Sequence, residues 1–263
     1  MPDQDYSAIT DIVVSPHFDD GVLSATSALR AGHSTLLITV CGGVPTENHE
    51  ESHEEWDRLC GFESGPAAAE GRAAEDRAAA AVAGNSVMHL PVPDAPYRSG
   101  FPSEMVVSAL AGLIRPHVRR DVRLWIPVGI GDHPDHVGTR DAVLAAVAGT
   151  DADCPLIFYA DCPYAFGSGW DAPDAERPTA DQWEPQLATL AHLVDGASPR
   201  IARLDDPTMR LKIAMLRCHA SQLAGLAVDH PHFLAWEGPL RQEVFWSTSA
   251  SIPALEPTPR SSA

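Results

Sequence analysis

Two short segments hold most of the side chains in this chain that are suited to catalysis. One reads Ser15-Pro16-His17-Phe18-Asp19-Asp20 and the other Asp132-His133-Pro134-Asp135-His136. Neutral imidazole and ionised carboxylate are the ligand types that bind zinc and related divalent ions when they converge from a fixed backbone. His17 and Asp20 stand three apart, so a strand-to-helix turn lets both point into one crevice. Asp19 lies beside them and can approach a metal-bound water without binding the ion itself. The bland alternative is that Asp19 or Asp20 merely caps a helix, but a cap needs one such residue and no neighbouring histidine. The second segment has two His and two Asp within five residues stiffened by Pro134. Packing explains that poorly, and so does a helix cap, because imidazole is not a favoured capping group.

To act together the two segments must be carried to one place. Short apolar runs read as strands at Asp11 to Ser15, Thr35 to Val40, Val87 to Leu90, Val122 to Pro127 and Pro155 to Ala160. Between them the pattern predicts helices from about Asp20 to Ala31, Pro66 to Ala83 (stopped by Gly84), Ser103 to Ile114 and Val137 to Val147. This rhythm predicts an α/β, Rossmann-like fold with a mostly parallel sheet and helices on both faces. In such sheets the ligand crevice lies beyond the carboxyl ends of the strands, where strand order reverses. That reversal places the first and fourth strands side by side, and the two segments directly follow those strands.

The rest of the chain is less regular. Thr46 to Glu63 reads as a long acidic loop with a short helix, its His49 and His53 solvated near Trp56. Ala165 to Ala180 reads as a loop over the site, with Trp170 in it. Thr208 to Leu223 reads as one helix on which His219 packs, His230 and His232 as turn residues, and Pro253 to Ala263 as a frayed tail. The expectation is a single domain over residues 1–263 with an elaborated C-terminal third from about residue 165.

Composition narrows the function classes. With 36 acidic against 18 basic residues the net charge is −18, which argues against nucleic-acid or anionic-membrane partners and leaves a small molecule as the expected one. The polar N-terminus and the lack of a long apolar stretch predict a cytoplasmic protein with no membrane insertion. The five cysteines have scattered spacing and no CxxC, so they read as reduced thiols. Cys41 sits at a strand end, where a small buried residue is expected. The first strand-to-helix turn, SPHFDDG, lacks the glycine pattern that lets a backbone approach a dinucleotide. A homo-oligomer is left open.

These residues carry a resemblance to the LmbE-like, or PIG-L, deacetylase family. The first segment resembles the S-P-H-x-D-D variant of its metal motif, with Gly21 where many members carry Glu. His133 to His136 match its H-P-D-H motif in full. Further matches are Arg72-Ala73-Ala74-Glu75-Asp76, Asp94-Ala95-Pro96-Tyr97-Arg98 and Asp161-Cys162-Pro163-Tyr164, and the similarity continues through Lys212 to Gln222. The resemblance implies one divalent ion, usually zinc, with iron or another ion as substitutes, held by His17, Asp20 and His136. It implies Asp19 as general base, His133 as oxyanion stabiliser or acid, and Asp135 as support for a neighbouring imidazole. Arg72 matches a helix position that contacts substrate in some relatives. Asp94, Tyr97 and Arg98 follow a strand's end and read as substrate contacts or as loop structure, and Tyr164 reads as stacking on a sugar face or as packing. The activity it implies is hydrolysis of an N-acetyl group on an amino sugar or sugar-like metabolite. The alternatives are amide cleavage on a non-sugar thiol conjugate or natural-product intermediate, and a non-catalytic metal- or ligand-binding relative.

Overall fold

β1 (Asp11–Ser15) and β2 (Thr35–Thr39) are buried at every position. Their sequences are therefore continuous in apolar character rather than alternating, because helices cover both faces of a parallel sheet. The computed structural model describes residues 9–30, 32–46, 51–148, 154–165, 188, 194, 199–229 and 233–248. His49, Trp170, His230, His232, residues 166–180 and the tail from 253 lie outside these residues, as does the side chain of His53.

Among the described residues the remaining strands are β3 (Ser86–His89), β4 (Arg123–Pro127), β5 (Leu156–Tyr159), β6 (Arg200–Arg203) and β7 (Gln242–Ser247). They form one sheet in the order β3-β2-β1-β4-β5-β7-β6. β3, β2, β1, β4 and β5 pair in parallel in that order, whereas β7 runs antiparallel to both β5 and β6. β1 and β4 are neighbours, as expected of the reversal point. Asp11 locks their lower ends by accepting from both Arg123 Nε and Trp125 Nε1, at 2.7 and 2.8 Å.

The helices are α1 (Asp20–Leu29), α2 (Glu51–Leu59), α3 (Gly65–Ala83), α4 (Ser103–Ile114), α5 (Pro134–Val147), α6 (Asp206–Leu216) and α7 (Ala220–Asp229). α3 begins with Pro66 in its first turn and the Ser64 side chain accepting from Ala67 N, and it ends at Gly84 with φ of 73°. These are a favoured N-cap and a left-handed C-terminal glycine. The single helix expected over 208–223 is two. The first closes with i to i−3 bonds, Cys218 N to Met215 O and His219 N to Leu216 O. The second is started from outside by Glu75 of α3, which accepts from both Ser221 N and Ser221 Oγ.

The C-terminal third therefore extends the sheet, which periodicity alone did not show. It is bolted on through a buried ion pair: Lys212 Nζ lies 3.1 Å from Glu243 Oε1, and Glu243 Oε2 accepts from Ser27 N of α1. Both side chains are sealed from solvent. Removing one partner strands the other charge, so Lys212→Met is expected to cost about 3–5 kcal/mol. Urea unfolding checks this, and adding Glu243→Leu should recover part of the loss. All five cysteines are unpaired. Among the described residues no helix is long and apolar enough to cross a membrane.

Candidate active site

The turn after β1 sets the first three groups. Ser15 Oγ accepts from Gly21 N at 2.9 Å, and Asp20 Oδ2 accepts from His17 N at 2.9 Å. Asp19 occupies the N-cap position of α1 yet makes no side-chain capping bond. Ser15 already serves one of the unpaired donors at the helix start, and the Asp19 carboxylate is not spent on a capping bond. Gly21 is tightly packed: a Cβ there would meet Leu37 Cδ1 at 3.0 Å.

After β4 the geometry corrects one expectation. His133 does cap α5, its Nδ1 accepting from Asp135 N at 3.3 Å with Pro134 next in line. An imidazole succeeds here because the accepting Nδ1 leaves its proton on Nε2, free to donate elsewhere.

The two turns converge on Asp20. Its Oδ2 lies 3.2 Å from His17 Nδ1 and 3.2 Å from His136 Nε2. The far nitrogen of each imidazole is held by a carboxylate: His17 Nε2 is 3.1 Å from Asp135 Oδ2, and His136 Nδ1 is 2.7 Å from Asp161 Oδ1. Such outer partners set ring orientation and tautomer in metal sites. His136 is fully buried, and among the described residues its Nε2 has no aligned hydrogen-bond partner. A buried unpaired nitrogen facing a carboxylate oxygen is costly to leave so. A divalent cation would satisfy both, so the donor set fits the ion.

Among the described residues, the set whose nitrogens all lie within 4.8 Å of one another is His17, His133 and His136, a set that leaves out Asp20 and brings His133 into the same centre. A second set, His17, Cys41 and Asp135, meets that distance too. It is the poorer cradle, because Arg98 Nη2 already pairs with Asp135 Oδ1 and burial pushes the Cys41 thiol up to about 11.

Charge is concentrated here. Burial opposes a charged His17, yet Asp94 and Asp20 hold its pKa well above the ordinary value. Burial likewise opposes charge on His136, but Asp20 and Asp161 raise it to about 9. His133 goes the other way: burial and the neighbouring His17 and His136 push it down to about 4, so it is neutral at pH 7. Burial and the adjacent Asp20 raise the Asp19 carboxyl.

The centre opens into a cavity of about 580 Å³ lined by Asp19, Arg72, Asp94, Tyr97, His133 and Tyr164 among others. Of the five expected substrate contacts, four line it and Arg98 does not. Arg98 donates from Nε to Pro93 O at 2.8 Å and turns its Nη2 onto Asp135. Asp135 itself is sealed, holding His17 and accepting from Ala95 N at 2.9 Å. Asp94 Oδ1 approaches His17 Nε2 at 3.2 Å. Arg72 Nη2 lies 2.8 Å from Asp57 Oδ1, and the Tyr97 hydroxyl donates to Asp57 Oδ2. The Tyr164 ring meets His136 edge-on at 5.0 Å. Cys41 is buried and also borders the cavity.

Two participants escaped sequence reasoning. Asp57 sits on α2, within the acidic stretch read as a long loop with a short helix, and nothing local marks it. Asp161 was visible only as the first residue of Asp161-Cys162-Pro163-Tyr164, directly after β5, the strand next to β4. Besides His136 it accepts from Gly129 N and Ile130 N, at 2.8 and 2.9 Å. Asp161→Asn is expected to weaken divalent-ion affinity roughly 10–100-fold while the fold survives, measured by competition with a metal indicator.

A family model described as PIG-L, GlcNAc-PI de-N-acetylase, matches residues 12–147. No curated protein sequence matches the chain. Among solved structures, the A40926 pseudoaglycone deacetylase is 26% identical with a TM-score of 0.66, over 91% of this chain and 96% of that one. A zinc-inhibited form of a teicoplanin deacetylase is 22% identical with a TM-score of 0.64, over 90% and 97% of the two chains. A 4-carboxy-2-hydroxymuconate hydratase from Pseudomonas putida, 15% identical with a TM-score of 0.50 over 93% and 98%, shares the fold alone.

Proposed function

Because the chain belongs to the PIG-L family of deacetylases, whose model spans residues 12–147, we propose that it hydrolyses an N-acyl amide, foremost an N-acetyl group, on an amino sugar or sugar-like substrate. The observation that carries this reading is the meeting of His17 Nδ1 and His136 Nε2 on one oxygen of Asp20, at 3.2 Å each, beside Asp19, whose carboxylate caps no helix. His17, Asp20 and His136 would hold a divalent ion. When bound, such an ion polarises an amide carbonyl and makes water acidic near neutral pH.

The chain's own residues supply the rest. Asp19 accepts the proton of the attacking water at its carboxylate, which no capping bond engages. Neutral His133 presents its Nε2 proton toward the site and stabilises negative charge on the carbonyl oxygen. Asp135 and Asp161 keep the two ligand imidazoles turned inward. Arg72, Asp94, Tyr97 and Tyr164 line the volume left for the sugar and whatever it is attached to. That volume far exceeds an acetyl group, in keeping with the bulky substrate named for the A40926 pseudoaglycone deacetylase. A cytoplasmic setting accords with five free thiols.

The test is acetate release from a panel of N-acetylglucosamine derivatives, free and aglycone-linked, by protein loaded in turn with zinc, iron or cobalt. Release that chelation abolishes supports the proposal. A panel cleaved only on non-sugar amides would move the substrate class, and no release with any ion would remove the hydrolase reading. Because zinc inhibits the teicoplanin enzyme's crystallised form, the zinc arm is run from trace to excess.

A further inference from the structure

Behind the turn that carries His17 and Asp19, one buried side chain ties three elements together. Asp76 of α3 is sealed from solvent. Its Oδ2 accepts from Thr39 Oγ1, at the end of β2, at 2.8 Å and lies 2.9 Å from His89 Nε2, at the end of β3. The His89 ring in turn meets the Phe18 ring edge-on, with centroids 5.2 Å apart and planes at 84°, an arrangement that aromatic pairs favour. Phe18 stands between His17 and Asp19 in the sequence, is 5% exposed and borders the cavity. The fold makes room for the imidazole: a Cβ on Gly42 would come within 2.7 Å of His89 Cβ.

This is a poor way to gain stability. Asp76 Oδ1 has no hydrogen-bond partner among the described residues, and a buried polar pair replaced by apolar groups of the same shape often costs nothing. What the pair does supply is direction. An imidazole bonded at Nε2 cannot turn freely, so the edge it presents to Phe18 is fixed, and the Phe18 ring is kept from swinging into the cavity. Holding that ring holds the turn on either side of it. Asp76 lies one helical turn beyond Arg72, and both are buried on the same face of α3. The helix that brings Arg72 to the cavity is thereby tied to the turn that brings the reacting groups. We propose that His89 is a positioning residue which, locked by Asp76, pins Phe18 and so fixes the turn presenting His17 and Asp19. The proposal rests on the reading of those two residues as ion ligand and proton acceptor.

The experiment has two arms, both on the full chain. In the first, aromatic NMR of phenylalanine-labelled, metal-free protein follows the Phe18 ring, its signals assigned from their loss in Phe18→Leu among the seven phenylalanines. His89→Ala and Asp76→Leu are each expected to displace the Phe18 signals. Unmoved signals in either folded variant overturn the pinning, and should Asp76→Leu not fold, His89→Ala decides alone.

In the second, kcat is measured per bound ion. His89→Ala and Asp76→Leu are expected to lower it roughly 10–100-fold, the scale of a small misplacement of reacting groups, with a smaller change in KM. Asp76→Asn, which keeps an acceptor oxygen for His89, should recover most of the rate. In a Phe18→Leu background His89→Ala should do nothing further, because the histidine acts through that ring. Equal losses in the Asn and Leu variants, a loss that adds to that of Phe18→Leu, or turnover per bound ion that matches wild type overturns the positioning role. If wild-type protein turns over no amide, the functional reading fails, while the NMR arm still decides whether Asp76 and His89 hold Phe18.

Discussion

Replacing His136 with alanine is expected to strip the protein of its divalent ion and of at least about 10³-fold in kcat/KM, the several kcal/mol of charge stabilisation that an ion contributes at about 1.36 kcal/mol per decade. The reason is geometric. His136 is sealed in the protein with Nδ1 committed to Asp161, so Nε2 is its one outward nitrogen, and that nitrogen faces Asp20. His133→Ala makes the informative contrast. With His17, Asp20 and His136 as the ligands, His133→Ala keeps the ion and loses roughly 10²–10³-fold in turnover, the usual effect of deleting one donor to a developing oxyanion. Elemental analysis of dialysed variants beside their kinetics checks both. If His133→Ala also loses the ion, the centre is the trio of imidazoles that lie within 4.8 Å of one another, and Asp20 only orients them.

Asp19→Ala is expected to cut kcat by about 10²–10⁴-fold, the range for removing a general base, with metal content unchanged. Its structural signature should be quiet or favourable. The carboxylate caps nothing, and Ser15 Oγ supplies the helix start in its place. Burial and Asp20 disfavour its charge, so deleting it removes an electrostatic burden. A melting temperature equal to or above that of wild type, together with collapsed turnover, is the expected pair of readings. Strain kept at a site for function behaves this way. Retained turnover would transfer the base role to another group, and a large fall in melting temperature would mean that the carboxylate was structural after all.

Much of the frame could be read before any coordinates. Fully buried runs such as Asp11–Ser15 and Thr35–Thr39 look like interior strands because both of their faces are covered. α4 begins and ends where its periodicity predicted. The reading weakened where local pattern stopped carrying the information. β7 was missed although four of its six residues are buried. It runs antiparallel to β5 and joins the sheet's far side, whereas the β-α rhythm used for the other strands points to parallel neighbours. The division of 208–223 into two helices was also hidden. Glu75, 146 residues away, supplies the carboxylate that restarts the second.

The site divides along the same line. His17, Asp19 and Asp20 in one turn, and His133, Asp135 and His136 in another, declared themselves by residue type and spacing, because a metal centre needs those groups in tight local sets on rigid backbone. Their placement after the first and fourth strands also foretold that they would meet. Which nitrogen points inward was decided only by the folded molecule: Asp135 reaches His17 across 118 residues of sequence and Asp161 reaches His136 across 25. The same holds for Arg98, turned from the expected substrate contact to Asp135. Ligand identity is a property of short segments. Tautomer, orientation and the commitment of each side chain depend on partners that folding alone brings within hydrogen-bond distance.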